Sequence, residues 1–410
     1  MRWMMAALLC MAFGTSAQNL THVTKIQGVK TNGVFDSNLL SPKSAAFSPD
    51  GRTLYINALE AGKTLVYDFP TLKPRAVVSH TFTTHSANLF DGSTVFNYPL
   101  AREQVGKDPN VFTGKPVEMA FSHNGRYLWV PYYRRSNDPR SAGPSAVAVI
   151  DTASSKIVRV LPTGPLPKYV AVAPDSSSVA VVQWGDNTII KFDTQSPNPS
   201  QWKAAQHWVV ERQLNVANIG GDRDKNCGYC LRGAVYTKDG NHLLVARMGG
   251  GGIAGFEVRT GKYLGTVANV APTPRHLVLS HNGETLWVSS NVSGVLTALP
   301  VSEVLSALQS ANGQRVTGPK GRQLNVGGGA RTVSVSPNER FAYVATNSAQ
   351  RLAVVDLTKW SVAQTIPATP FPVGLAVSPD GCYVVSTSQG RAGKGGGNTV
   401  DVFKVDHCQK

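Results

Sequence analysis

Apolar and polar residues alternate along this chain in short runs, and the same reversal interrupts them at regular intervals. Its clearest copy is Phe47-Ser48-Pro49-Asp50-Gly51-Arg52-Thr53-Leu54-Tyr55-Ile56. Period-two alternation places apolar side chains on one face of a strand. Asp-Gly between two such runs predicts a hairpin, because glycine takes the positive φ that a tight turn demands. The reversal returns as Phe121-Ser122-His123-Asn124-Gly125, Ala173-Pro174-Asp175, Thr237-Lys238-Asp239-Gly240, Ser280-His281-Asn282-Gly283, Ser336-Pro337-Asn338 and Ser378-Pro379-Asp380-Gly381. The closest copies lie about 42 residues apart, the length of a four-stranded propeller blade.

The expected fold is therefore all-β, a seven-bladed β-propeller forming one domain over 18–410. The first run, His22 to Val29, has no partner beside it, and the last blade, from Val373 to Thr399–Val405, has only three strands. A propeller must protect its sheet edges, so the N-terminal strand is expected to complete the last blade and close the ring. One stretch departs from period two. Val301, Val304, Leu305 and Leu308 fall on one helical face, with Ser302 as the candidate cap. Insertions at about 81–115, 195–231 and 300–329 are expected to crowd the face opposite the Asp-Gly turns, where repeat arrays usually bind.

Pro337 through Asp356, with Phe341-Ala342-Tyr343-Val344-Ala345-Thr346-Asn347 followed by Ala353-Val354-Val355-Asp356, resembles the YVTN-type β-propeller repeat. Val147 to Thr152 and Lys156-Ile157-Val158 resemble its second half. The resemblance covers nearly the whole mature chain, more loosely in blades three to five. It implies a seven-bladed ring, commonly exported, and says little about activity.

Residues 1–17 read as a secretory signal: Arg2, an apolar core from Met4 to Phe13, then Thr15-Ser16-Ala17. No later apolar run approaches the ~18 residues a transmembrane helix needs. The expectation is a secreted or periplasmic protein with no membrane segment. Lys and Arg number 40 against 25 Asp and Glu, a formal charge of +15 that favours anionic partners. Beyond Cys10 four cysteines remain, and an even count in an exported chain permits two disulfides in three pairings. Counting strands puts Cys382 and Cys408 on one face, a tie across the closure. Cys227 and Cys230 are left as a short loop bridge or a redox pair.

Seven positions before each turn residue stand Lys43, Val117, Lys168, Arg232, Arg275, Arg331 and Val373. Five are cationic, where the innermost strands open onto the central channel. Grouped like charges repel in a low-dielectric funnel, and an anion relieves that repulsion. The competing explanation is that these cations belong to the repeat and pair with backbone carbonyls or a neighbouring acid. His276 adjoins the set, and loops on the same side add Arg134, Arg247 and Arg391, with Tyr132, Tyr133 and Trp184 close by. Other motifs fail. Asp222 to Asn226 opens like a calcium loop, but Cys227 replaces the turn glycine. Cys227-Gly228-Tyr229-Cys230 is followed by Leu231 rather than a haem-ligating histidine. No cofactor or metal is expected. The first expectation is a non-enzymatic binding propeller for an anionic ligand or polymer: cell-wall polymer, nucleic acid or an acidic protein. A propeller lactonase-type hydrolase using Glu118 and His276 is the second, and a protein-interaction scaffold the third.

Overall fold

The inner hairpins are built by side chains that imitate backbone. Asp50 Oδ1 accepts the Arg52 N–H at 3.1 Å, Asp175 that of Ser177 at 2.9 Å and Asp239 that of Asn241 at 3.0 Å. Asn282, Asn338 and Asp380 repeat the bond with Glu284, Arg340 and Cys382. Such Asx bonds hold the chain in a turn without help from the ladder. Gly125 sits at φ +85°, and a Cβ there would lie 2.7 Å from Pro49 of the preceding blade. Ser176 and Glu339 take the same left-handed position where the glycine is missing.

These hairpins organise seven sheets in a computed structural model that describes residues 19–28, 33, 35–90, 98–100, 104–215, 221–390, 396–406 and 408. The expected signal, 1–17, and Arg391 lie outside the described residues. Each sheet is a blade whose four main strands are antiparallel, in blade one Pro42–Phe47, Thr53–Ala58, Lys63–Asp68 and Lys73–Ser79; blade four adds the short strand Arg315–Val316, parallel to Tyr263–Val267. Blade two gains the short strand Thr81–Phe82 from the 81–115 insertion, paired with Phe112–Pro116. The core lies between blades: Trp129 stacks on Trp202 with centroids 5.4 Å apart, and neither ring is exposed.

The ring closes as expected. Leu20–Gln27 pairs antiparallel with Thr399–Val405, Leu20 opposite Val405 and Gln27 opposite Thr399, giving blade seven its fourth strand. Leu20 is buried against Phe403 and Val405. Cys382–Cys408 ties the same blade, and Cys227–Cys230 forms the second disulfide.

Two insertions go elsewhere than expected. Pro300 pairs with Thr285, just past the Asn282-Gly283 turn, so the chain leaves blade five at the turn end. It forms the helix Val301–Ala311, packed on the outer strand of blade four, Tyr263–Val267. Pro300 rather than Ser302 occupies the cap position. Asp193 likewise pairs with Ser178, so the segment from Thr194 to Trp202 is also at the turn end. Only the part after Val209 reaches the other face. Antiparallel alternation decides this, because the exit from a third strand lies beside the first turn. No described helix is long and apolar enough to cross a membrane.

Candidate functional site

The cationic positions are bulges. In the innermost ladders the register skips Lys43, Lys168, Arg275, Arg331 and Val373, and skips Arg232 together with Gly233. A bulged residue is unpaired and its side chain is re-aimed. Proline precedes the position at Pro42, Pro116, Pro167, Pro274 and Pro372, where its missing N–H costs no ladder bond. All five cations therefore converge on one funnel of about 370 Å³ at the channel mouth, with Val117 beside them.

A second ring surrounds the first. Nine positions after each turn residue stand Leu59, Tyr133, Trp184, Met248, Asn291, Asn347 and Gln389. All but Asn347 line the funnel. These residues follow the second strands, except Tyr133, which lies within the strand Tyr127–Arg135, and the ends of those strands lie beside the bulges. Asp224 and Glu60 complete the wall.

The cations divide into two sets. Lys168 pairs with Asp224, and its ammonium lies 3.9 Å from the Trp184 ring centroid and 4.8 Å from that of Tyr133. Arg232 donates to the Lys168 carbonyl at 2.8 Å and to Glu118 Oε1 at 2.9 Å. Both partners proposed for a purely structural arginine, carbonyl and acid, are present there. Lys43 donates to Gln389 Oε1 at 3.0 Å, and Arg275 points Nη1 at Met248 Sδ, 3.4 Å away. Neither Arg275 nor Arg331 has an ion pair with a described carboxylate, and Arg331 Nε is buried without a hydrogen-bond partner. Glu60 is held by Lys115 at 2.6 Å.

Proton affinities register this crowding. Burial first, then Arg331 and Arg232, depress Arg275 well below the usual guanidinium range. Burial and Arg232 bring Arg331 down to about 10. Burial, Arg331, Arg232 and Arg275 lower the Lys43 ammonium. Burial pushes the Glu118 carboxyl up, but Arg232, Lys43, His276 and Arg275 together hold it below its ordinary value.

Directly behind the bulges lie Glu118, Tyr169 and His276. Gly233 carries no side chain here; a Cβ would sit 2.7 Å from the Arg275 carbonyl. Tyr169 of blade three thus spans blade four and shares a 3.1 Å hydrogen bond with His276 Nε2 of blade five. Burial lowers His276 to about 4, so its imidazole is neutral at pH 7. The two runner-up catalytic residues are brought together with Arg232, although neither forms the funnel wall.

The loop arginines stand apart from the funnel. Arg134 forms a two-oxygen pair with Asp222 at 2.7 and 2.8 Å. Arg247 is buried, paired with Glu211 and stacked 3.8 Å from the Tyr229 ring centroid. Both brace the loops around the mouth. Tyr132 is buried against His80 rather than open to a ligand.

The sequence matches the family model "Lactonase, 7-bladed beta-propeller" over residues 107–409. Among solved structures, hydrazine synthase of Kuenenia stuttgartiensis is similar at TM-score 0.62 and 14% identity, covering 90% of this chain and 97% of that one. The Cps50 (Swd1) β-propeller domain of Myceliophteria thermophila is similar at TM-score 0.62 and 13% identity, with 95% and 99% covered. A chain of a mitotic checkpoint complex matches at TM-score 0.60 and 11% identity, with 98% and 99% covered. At these identities the likeness is one of fold. No curated protein matches the sequence. With about three quarters of its length matched and seven blades closing the ring, the chain belongs to the lactonase, seven-bladed β-propeller family.

Proposed function

We propose that this propeller is an exported binding protein that takes an anionic group into its funnel. One observation carries the proposal: Arg275 and Arg331 face a shared cavity with no described carboxylate paired to either. A buried guanidinium without a counter-charge is costly, and a bound carboxylate or phosphate offsets that cost through its fork of donors. The cavity, about 370 Å³, lies at the small end of ligand pockets. A compact anion therefore fits better than a polymer strand, whether free or at the tip of a larger partner. Two disulfides accord with an oxidising compartment. The test is calorimetric titration with sulfate and citrate at low and high salt. Binding in the wild type, weakened by salt and reduced at least ~100-fold in Arg275→Ala/Arg331→Ala, is the expected result. Equal binding by the double variant removes the proposal.

The convergence of Glu118, Arg232, Tyr169 and His276 favours a second reading, lactone hydrolysis, in line with the family. A neutral imidazole is available as a base and Arg232 as a charge-stabilising group. Hydrolysis of a lactone panel, abolished by His276→Asn with anion binding retained, would establish it.

A further inference from the structure

The two rings of the funnel are polarised around its circumference. On blades two to four the outer ring is Tyr133, Trp184 and Met248, and the cations beneath are already matched, Lys168 by Asp224 and Arg232 by Glu118. On blades five and seven the outer ring is Asn291 and Gln389, Asn347 of blade six staying out of the wall, and the cations beneath are Arg275 and Arg331, with Lys43, Leu59 and the Lys115-paired Glu60 adjoining from blade one. Asn291 Oδ1 is buried without a hydrogen-bond partner among the described residues, an acceptor that a donor on the ligand, rather than its anionic group, would satisfy. One arc therefore offers aromatic and thioether surface around the matched Lys168–Asp224 pair, and the facing arc offers side-chain amides and two guanidinium groups, Arg275 and Arg331, with no ion pair to a described carboxylate.

From this division, and resting on the anion reading above, we infer that the funnel selects an anion with a flat apolar body, in chemical class an aromatic carboxylate. The carboxylate lies toward Arg275, Arg331 and Lys43, where a guanidinium fork matches two oxygens. The body lies against Val117, Tyr133, Trp184 and Met248, where ring contact and a thioether favour a planar partner. A sugar-like or purely inorganic anion satisfies the charged arc but leaves the aromatic arc wet. A neutral aromatic satisfies the other arc and leaves the guanidinium groups uncompensated.

The experiment is calorimetry on the full mature chain with three probes: 2-naphthoate, sulfate, and the neutral 2-naphthalenemethanol. The expected order is naphthoate at least ~10-fold tighter than sulfate, with no binding of the alcohol. Trp184→Leu should lower naphthoate affinity about tenfold and leave sulfate affinity unchanged, whereas Arg275→Gln should weaken both. Trp184 Nε1 donates to the Asp224 carbonyl, so its loss risks disturbing the loop. Tyr133→Leu makes the same test independently, with circular dichroism confirming the fold of each variant. Sulfate binding as tight as naphthoate, or aromatic variants that weaken both anions alike, overturns the selectivity and leaves the anion reading standing. Failure of both anions to bind overturns both.

Discussion

At the turn end of the inner strands, six Asx side chains bond the backbone two residues on, with nearly the same geometry in six blades. At the mouth end, the same strands release a bulged residue, Arg232 being joined by Gly233 in blade four, and its identity varies from valine to arginine. At one end the side chains are consumed by the fold. At the other, pairing stops and side chains are left over, two of them guanidinium groups with no described counter-ion. The difference teaches where to look in a repeat protein: stability resides where the repeat satisfies itself, and binding where the repeat leaves charge unmatched.

The two disulfides give the largest contrast. Cys382–Cys408 spans 26 residues at the turn end, and Cys227–Cys230 spans 3 at the mouth, beside Trp184 and Met248. Loop-closure entropy assigns about 3.5 kcal/mol to the first and about 1.6 kcal/mol to the second. Cys382→Ser/Cys408→Ser should lower unfolding stability by the larger amount and leave sulfate affinity unchanged. Cys227→Ser/Cys230→Ser should cost less stability but loosen the funnel wall and weaken binding. Denaturant melts and calorimetry on both pairs decide this; reversed effects would dissolve the contrast between the two ends.

A smaller, opposite-signed pair comes next. Arg275 is only 6% exposed and has no ion pair with a described carboxylate, so Arg275→Met should raise stability by about 1–2 kcal/mol while abolishing anion binding. Asp239→Ala removes a turn bond and should lower stability by about 1 kcal/mol with binding intact. Thermal denaturation of the two variants side by side measures both signs. A destabilised Arg275→Met would mean that its guanidinium is satisfied as it stands.

Much of this was legible in the residues. Asp-Gly and Asn-Gly reversals mark every inner hairpin but the two in which Ser176 and Glu339 replace glycine, and Ser-Pro-Asn still marks one of those. Counting back from the turns located Lys43, Lys168, Arg232, Arg275 and Arg331, because a repeat fixes distance along a strand. Counting forward nine positions would have located Tyr133, Trp184, Met248, Asn291 and Gln389 by the same logic. Asp224 was not legible, since it lies in an insertion with no register to the repeat. The segment 300–329 starts at the turn end, against the expectation, because the strand a segment leaves, and not its length, decides its face; Arg322–Asn325 then returns as the fourth strand of blade five. Arg134 and Arg247 are legible as basic, but their partners Asp222 and Glu211 come from the unregistered insertion 195–231 that also carries Asp224.

The smallest expected effect tests the matched arc by pH. Burial first, with Arg232 and Arg275 assisting, lowers the Lys168 ammonium to about 7, although Asp224 pulls it upward. The unfolded chain titrates this lysine near 10.5. Between about pH 7 and 10.5 the unfolded state therefore holds the extra proton, and this group's contribution to stability improves as pH rises through that window. Below pH 7 the folded protein bears the full cost of a buried ammonium. Anion binding runs the other way, because deprotonation removes one positive charge from the funnel wall. Sulfate does not titrate here, and its affinity should fall no more than about fivefold from pH 6 to 8, or ~1 kcal/mol. Its binding near pH 7.5 should be accompanied by proton uptake, detectable as a dependence of the calorimetric heat on the buffer's ionisation enthalpy. Lys168→Met should flatten the affinity profile and abolish the uptake. A slope that persists in that variant would assign the titration to another wall residue and break the division of the funnel into matched and unmatched arcs.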